Sequence, residues 1–238
     1  MKRFNSRAQA YAAFRPVYPP QAIVAALQGL GDPHALTVAD VGAGTGISAR
    51  LFAQRGATVI AIEPNAAMRQ AARSHSRVQW RDGTAERTHL EDGSVDVVVV
   101  CQAFHWFATA RVMLEFRRVA RRRAALLQYE RDERDAFTKA YGDVVRAYAT
   151  DDTEALRERA LATFSQFPDA RVTRTVCSSA QRLDRAALLG RAASASYLPS
   201  GGPAADALRR DLEALSDRYQ RDGFVELAIV TFVLAADW

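Results

Sequence analysis

Between residues 36 and 129 the chain alternates short apolar runs with stretches of helical period. The runs occupy residues 36–41, 57–62, 77–80, 95–101 and 124–129, and helical connectors fill 47–54, 65–73 and 108–120. Strand and helix in repetition predict βαβ units around a parallel sheet. Val97, Val98, Val99 and Val100 show no period-two alternation, which fits a central strand covered by helices on both faces. A doubly wound α/β sheet is the economical topology.

The flanks follow other patterns. Residues 5–30 read as a helical lead-in, with Ala10, Ala13, Phe14 and Val17 on one face, a break at Pro19 and Pro20, and a second helix ending around Gly29 to Gly31. Residues 130–167 are polar and helical without a strand, and are too long for an ordinary connection, so they read as an inserted helical cap. Strands at 172–177 and 223–235 and helices at 184–194 and 204–220 complete a seven-stranded count. There are no internal repeats or low-complexity linkers. The organisation expected is one domain over 1–238. Lid helices lie in 1–30, a cofactor-binding core in 36–129, the cap in 130–167, and the rest of the sheet with substrate-side helices in 168–238.

Composition narrows the class without changing this picture. At 49% hydrophobic and 25% charged residues, the 238-residue chain has the make-up of a globular domain, not of a disordered one. Its longest apolar stretches fall short of the roughly 20 residues a bilayer-crossing helix needs, and its first fifteen residues carry charge but no apolar core. A cytoplasmic, membrane-free protein is expected. The only cysteines, Cys101 and Cys177, are far apart and share no ligand-like spacing with the four histidines, so two buried thiols and no metal are expected. The net charge is +5, and all but Lys2 and Lys139 of the 32 cationic residues are arginine. Acidic residues are interspersed throughout, so the charge alone does not mark a nucleic-acid surface.

Candidate chemistry concentrates where the first strand ends, at Asp40-Val41-Gly42-Ala43-Gly44-Thr45-Gly46. Glycines there permit a tight turn and let backbone N–H groups approach a ligand that a Cβ would exclude. A dinucleotide site also begins Gly-x-Gly, and Glu63, at the end of the second strand, is placed to accept ribose hydroxyls of either kind of cofactor. Two residues separate the readings. Ile47 stands where a pyrophosphate loop needs its third glycine. Asp40 beside the loop would repel a pyrophosphate but suits a ligand carrying an ammonium and a sulfonium. The balance favours S-adenosylmethionine over NAD.

Five strings occur in an order and spacing that resemble the class I S-adenosylmethionine-dependent methyltransferases: residues 40–46, Ile-Glu-Pro-Asn-Ala-Ala-Met at 62–68, Gly-Thr-Ala-Glu at 83–86, Asp-Gly-Ser-Val-Asp at 92–96 and Gln-Ala-Phe-His-Trp-Phe at 102–107. With the opening Tyr-x-x-x-Arg-Pro-x-Tyr-Pro from position 11, they look most like the small-molecule branch of the methyltransferase type 11 domain that includes trans-aconitate methyltransferase-like proteins. The resemblance runs from about residue 5 to 129. It implies a Rossmann-like seven-stranded sheet, mostly parallel with an antiparallel last strand, plus the helical cap.

The resemblance also implies roles. Gly42, Ala43, Gly44 and Gly46, with Asp40 beside them, line the methionine part of the cofactor. Glu63, followed by Pro64, binds the ribose, and Met68 packs on the adenine face. Thr84, Ala85 and Glu86 sit beside the adenine edge, Gln102 and Ala103 flank the sulfonium, and Tyr11 and Arg15 close over the cofactor, the guanidinium meeting its carboxylate. Tyr18, His105, Trp106, Ser196 and Tyr197 are the substrate-side candidates. Thr84 departs from the pattern, since an acidic residue often stands there, and residues 121–127 lack the glycines often found entering the fifth strand.

His105 follows the fourth strand, where a doubly wound sheet opens toward its ligand crevice, so it reads as a general base, a substrate donor or a loop brace. The run Arg117, Arg118, Arg121, Arg122 and Arg123 reads as a solvated helix end, favoured by the helix dipole. The function expected is methyl transfer to an oxygen or nitrogen of a small-molecule metabolite by a monomer or homodimer, with no nucleic-acid partner. An NAD(P)-dependent oxidoreductase and a noncatalytic S-adenosylmethionine-binding or RNA-associated protein are the alternatives.

Overall fold

The computed structural model describes residues 14–238. Helix α1 (Pro20–Leu27) leads into β1 (Thr37–Val41), α2 (Ile47–Gln54), β2 (Thr58–Ile62), the short α3 (Ala66–Gln70), β3 (Val78–Arg81), β4 (Val95–Cys101), α4 (Ala110–Val119) and β5 (Ala120–Arg131). Then follow α5 (Ala136–Tyr148), α6 (Thr153–Ser165), β6 (Arg171–Asp184), α7 (Arg185–Ala193), α8 (Gly202–Tyr219) and β7 (Phe224–Asp237). The seven strands form one sheet in the order β3-β2-β1-β4-β5-β7-β6. β1 pairs parallel with β2 and β4, β2 with β3, and β4 with β5. The sheet is mostly parallel with antiparallel last strands, as expected.

The chain forms two compact units. One comprises Val17–Tyr129, Glu154–Cys177 and Thr231–Trp238; the other comprises Glu130–Thr153 and Ser178–Val230 with residues 14–16. The stretch expected as one cap, 130–167, is divided between them. Helix α5 belongs to the second unit, packing Phe137, Tyr141 and Val145 with Leu188, Leu212 and Leu227. Helix α6 belongs to the first, where Ala160 and Phe164 join Phe104, Phe116 and Val98. The apolar positions of the two helices are filled by different partners, which no local pattern discloses.

Side-chain chemistry explains the element boundaries. Asn65, Thr109, Asp135 and Asp184 each accept a backbone N–H in the first turn of the helix they precede. Strand β4 is buried at six of its seven positions, as a valine run in a central strand requires. β5 starts earlier than expected because Arg121, Arg122 and Arg123 are strand residues, not a solvated helix end. Arg121 bonds Asp96, Arg122 donates to the Leu30 carbonyl, and Arg123, 8% exposed, forms a bidentate pair with Asp237 at 2.6 and 3.0 Å. Strand β6 is more than twice its expected length. It lies at a sheet edge, where alternation with exposed arginines and threonines replaces the apolar run that marks a buried strand. That edge also accounts for Cys177, which is half-buried, whereas Cys101 is buried as expected. No described helix is long and apolar enough to cross a membrane.

Candidate functional site

The glycine-rich loop leaves the C-terminal end of β1 in a tight turn. The N–H groups of Gly42 and Ala43 both donate to the Ile62 carbonyl at 2.9 and 3.1 Å, which ties the loop to the end of β2. Gly42, Gly44 and Gly46 have φ of +70°, +58° and +72°, the left-handed region that glycine alone enters at no steric cost. Their surroundings differ. A Cβ on Gly42 would lie 2.8 Å from the Ala103 Cβ, and one on Gly46 would lie 2.7 Å from the Trp80 ring. A Cβ on Gly44 would meet only the Met68 Cε, at 3.6 Å. Gly42 and Gly46 therefore serve close packing, and Gly44 faces a cradle that a side chain would fill.

Two carboxylates frame the loop. Asp40 is fully buried at the end of β1, and its Oδ2 accepts the Ser48 hydroxyl at 2.7 Å while its Oδ1 has no partner. Burial pushes its pKa up to about 7, with Glu63 adding repulsion and the Ser48 bond opposing the shift. Glu63 accepts the Gly44 N–H on Oε2 at 3.0 Å and the Asn65 N–H on Oε1 at 2.9 Å. Burial raises its pKa also, against those two bonds and the nearby Arg69 charge. Each Glu63 oxygen keeps a second acceptor position for a ligand hydroxyl. Glu63 thus borders the cradle at Gly44, and its repulsion of Asp40 puts the two carboxyls within each other's field.

The other candidates are divided between the two units. Pro64 follows Glu63, and Met68 is buried with its methyl toward Gly44. Thr84 bridges antiparallel to Arg87 in a tight turn that buries Ala85 and leaves Glu86 exposed. Gln102 holds a left-handed φ of +53°; its Nε2 donates to the Tyr129 carbonyl at 2.6 Å and its buried Oε1 has no partner. His105 is buried, with its ring 4.6 Å from that of Trp106, which is 42% exposed. Tyr18 is buried against the Tyr129 ring, and its hydroxyl donates to the Leu127 carbonyl at 3.4 Å.

Arg15, Ser196 and Tyr197 belong to the second unit. There Arg15 donates to the Ser194 carbonyl at 3.3 Å, and the Tyr197 carbonyl accepts from Thr150. Tyr11 lies outside the described residues. Sequence reasoning missed Ser48, which holds Asp40, and Asn65, whose side chain caps α3 while its N–H holds Glu63. A hydroxyl in the first turn of α2 and an Asn one residue before α3 were the available signals.

Known proteins resemble this chain in sequence and in fold. Residues 39–127 match the family model described as a methyltransferase domain. An uncharacterized methyltransferase of Mycobacterium tuberculosis is 38% identical over 145 residues, covering 60% of this chain and 58% of that one. An uncharacterized methyltransferase of Schizosaccharomyces pombe is 32% identical over 124 residues, covering 50% of this chain and 48% of the relative. The chain thus spans between about half and three fifths of these curated relatives. Among solved structures, one designated a candidate type II methyltransferase from Anaeromyxobacter dehalogenans aligns with a TM-score of 0.66 at 21% identity, covering 94% of this chain and 97% of that one. The YcgJ protein of Bacillus subtilis aligns with a TM-score of 0.58 at 16% identity over 91% and 97%. These structural likenesses establish the fold.

Proposed function

We propose that this chain, whose residues 39–127 match a methyltransferase domain, transfers the methyl group of S-adenosylmethionine to an oxygen or nitrogen of a small-molecule metabolite. The observation that carries the reading is the cradle over Gly44, bordered by Glu63, with the buried Asp40 carboxyl at the end of β1. Two poorly solvated carboxylates favour a ligand with positive charge and sugar hydroxyls, and disfavour a pyrophosphate. The donor supplies, when bound, a sulfonium whose methyl is already electrophilic. Glu63 and the Gly44 region would hold its ribose and methionine parts, and Met68 its base.

With so reactive a donor, the protein's task is alignment and exclusion of water. His105, at the C-terminal side of β4 and beside Trp106, would take a proton from an acceptor whose pKa requires it. Support for a small acceptor over nucleic acid comes from the arginine run. Arg118 is engaged by Asp92 and Glu115, Arg121 by Asp96 and Arg123 by Asp237, so these cations are neutralised within the chain.

Calorimetry with S-adenosylmethionine, its demethylated product and NAD tests the donor. Binding of the first two and none of NAD is expected, and the reverse pattern would overturn the reading. Labelled-methyl transfer into fractionated metabolites, set against RNA and protein, then tests the acceptor class.

A further inference from the structure

Among its described residues, the second unit holds a buried cation without a counter-charge. Arg191, in α7, is 8% exposed, and among the described residues it forms no ion pair. Its Nη1 donates to the Gln181 Oε1 at 2.8 Å. Gln181 is itself oriented by donating its Nε2 to the Phe14 carbonyl at 3.1 Å, so a neutral amide fixes one corner of the guanidinium. The buried Nε has no partner, and neither does Nη2 among the described residues. Nε and Nη2 form the edge that presents two parallel N–H groups to a carboxylate or phosphate.

Tyr141, on α5 of the same unit, supplies a second donor. It is 4% exposed, and its hydroxyl has no hydrogen-bond partner among the described residues. It packs in one apolar cluster with Leu188 and Ala192 of α7, the helix that carries Arg191, and burial raises its pKa against the positive charge of Arg191. Arg131 is paired with Glu133, and Arg15 donates to the Ser194 carbonyl, which leaves Arg191 as the cation with an open bidentate edge. A buried guanidinium held by one neutral bond is costly, because desolvation is not offset by an opposite charge. Proteins retain such an arrangement where a ligand completes it.

We propose that the Nε–Nη2 edge of Arg191, with the Tyr141 hydroxyl, is the binding seat for the oxyanion of a small acidic molecule, a carboxylate or a phosphate. The seat is built within one unit and does not depend on the methyl-transfer reading. It requires a ligand with a planar or tetrahedral oxyanion small enough to enter beside α5 and α7.

The test is calorimetric titration of the full chain, at fixed ionic strength, with succinate, citrate, inorganic phosphate and neutral succinamide, repeated on Arg191→Gln, Arg191→Lys and Tyr141→Phe. Saturable binding of at least one anion and none of succinamide is expected. Which anion binds more tightly decides between carboxylate and phosphate. Arg191→Gln should weaken that anion at least tenfold, Arg191→Lys should restore little because it lacks the bidentate edge, and Tyr141→Phe should weaken it severalfold. Melting temperatures without ligand provide a second readout. Removing an uncompensated buried charge should leave Arg191→Gln at least as stable as the parent, while the stabilisation conferred by the anion disappears. Absence of saturable anion binding to the parent, equal binding by Arg191→Gln, or a ligand-free Arg191→Gln that melts well below the parent would each overturn the proposal.

Discussion

The Glu63 carboxylate accepts the Gly44 amide at 3.0 Å, so the group assigned to the donor's ribose also sets the shape of the glycine-rich loop. Glu63→Ala therefore removes two functions, leaving the Gly44 and Asn65 N–H groups without their acceptor. Donor affinity should fall by about tenfold to a hundredfold, with a stability loss of about 1–3 kcal/mol. Glu63→Gln should bind hardly better, because its amide can accept from only one of the two N–H groups. Calorimetry and denaturant titration check both. A glutamine variant of parental affinity would separate Glu63 from the site.

Gly42 and Gly44 should respond differently to the same substitution. Both have positive φ, so a side chain costs about 1 kcal/mol of backbone strain at either position. At Gly42 the Ala103 contact adds a clash, so Gly42→Val should lower the melting temperature sharply. Gly44→Val should remain folded and lose donor binding, because its branches extend into the open cradle. Parallel melting curves and binding isotherms decide the matter; a Gly44→Val variant that binds normally would place the ligand elsewhere.

The raised pKa of Asp40 makes a pH dependence with a definite sign. Its carboxyl holds a proton in the folded state up to about pH 7, whereas the unfolded chain loses it near the ordinary carboxylate value of 3.8. The folded state binds more protons in that window, so ligand-free stability should fall as pH rises from about 4 to 7 and level off above it. The total is on the order of 4 kcal/mol. Glu63, also raised by burial, slopes in the same direction. Asp40→Asn should flatten much of this profile, and the donor's affinity for the parent should rise through pH 7 as the ionised carboxylate meets a cation. Equal pH slopes in parent and Asp40→Asn would refute the assignment.

What the sequence disclosed and what it hid follow from the range of the interactions. The strands around the loop, the glycine turn, and Glu63 at the end of β2 are local features, written in periodicity and in residues that tolerate special backbone. The length of β6 was hidden because an edge strand has little apolar face to show, as its exposed Val176 and Arg174 illustrate. The assignment of α5 and α6 to separate units depends on partners scores of residues away. Arg191 resembled any helix cation until its burial and its missing counter-charge were visible.

Arg123 and Asp237 offer a test of the fold itself. The guanidinium also donates to the Ala26 and Gln28 carbonyls at 3.0 and 2.9 Å, so Asp237→Ala leaves a buried cation with neutral partners only. A loss of about 3 kcal/mol is expected, with donor affinity unchanged at saturating protein stability. Urea denaturation measures it, and a loss below about 1 kcal/mol would show the pair to be solvent-screened.

His105→Ala should lower turnover with the acceptor found by labelled-methyl screening while leaving donor affinity intact. A pH–rate profile of the parent and the variant distinguishes a proton acceptor from a loop brace, since only the former removes an ionisation from the profile. Full turnover in the variant would eliminate the base role and leave methyl transfer standing.

Each compact unit is assembled from separated stretches of chain, and β7 contributes to both, residues up to Val230 to one and those from Thr231 to the other. During synthesis on the ribosome, neither unit has all its parts until this strand has left the exit tunnel. The earlier strands must wait with an apolar sheet face and a ladder of backbone groups still unpaired. A break in the chain before β7 therefore deprives both units at once.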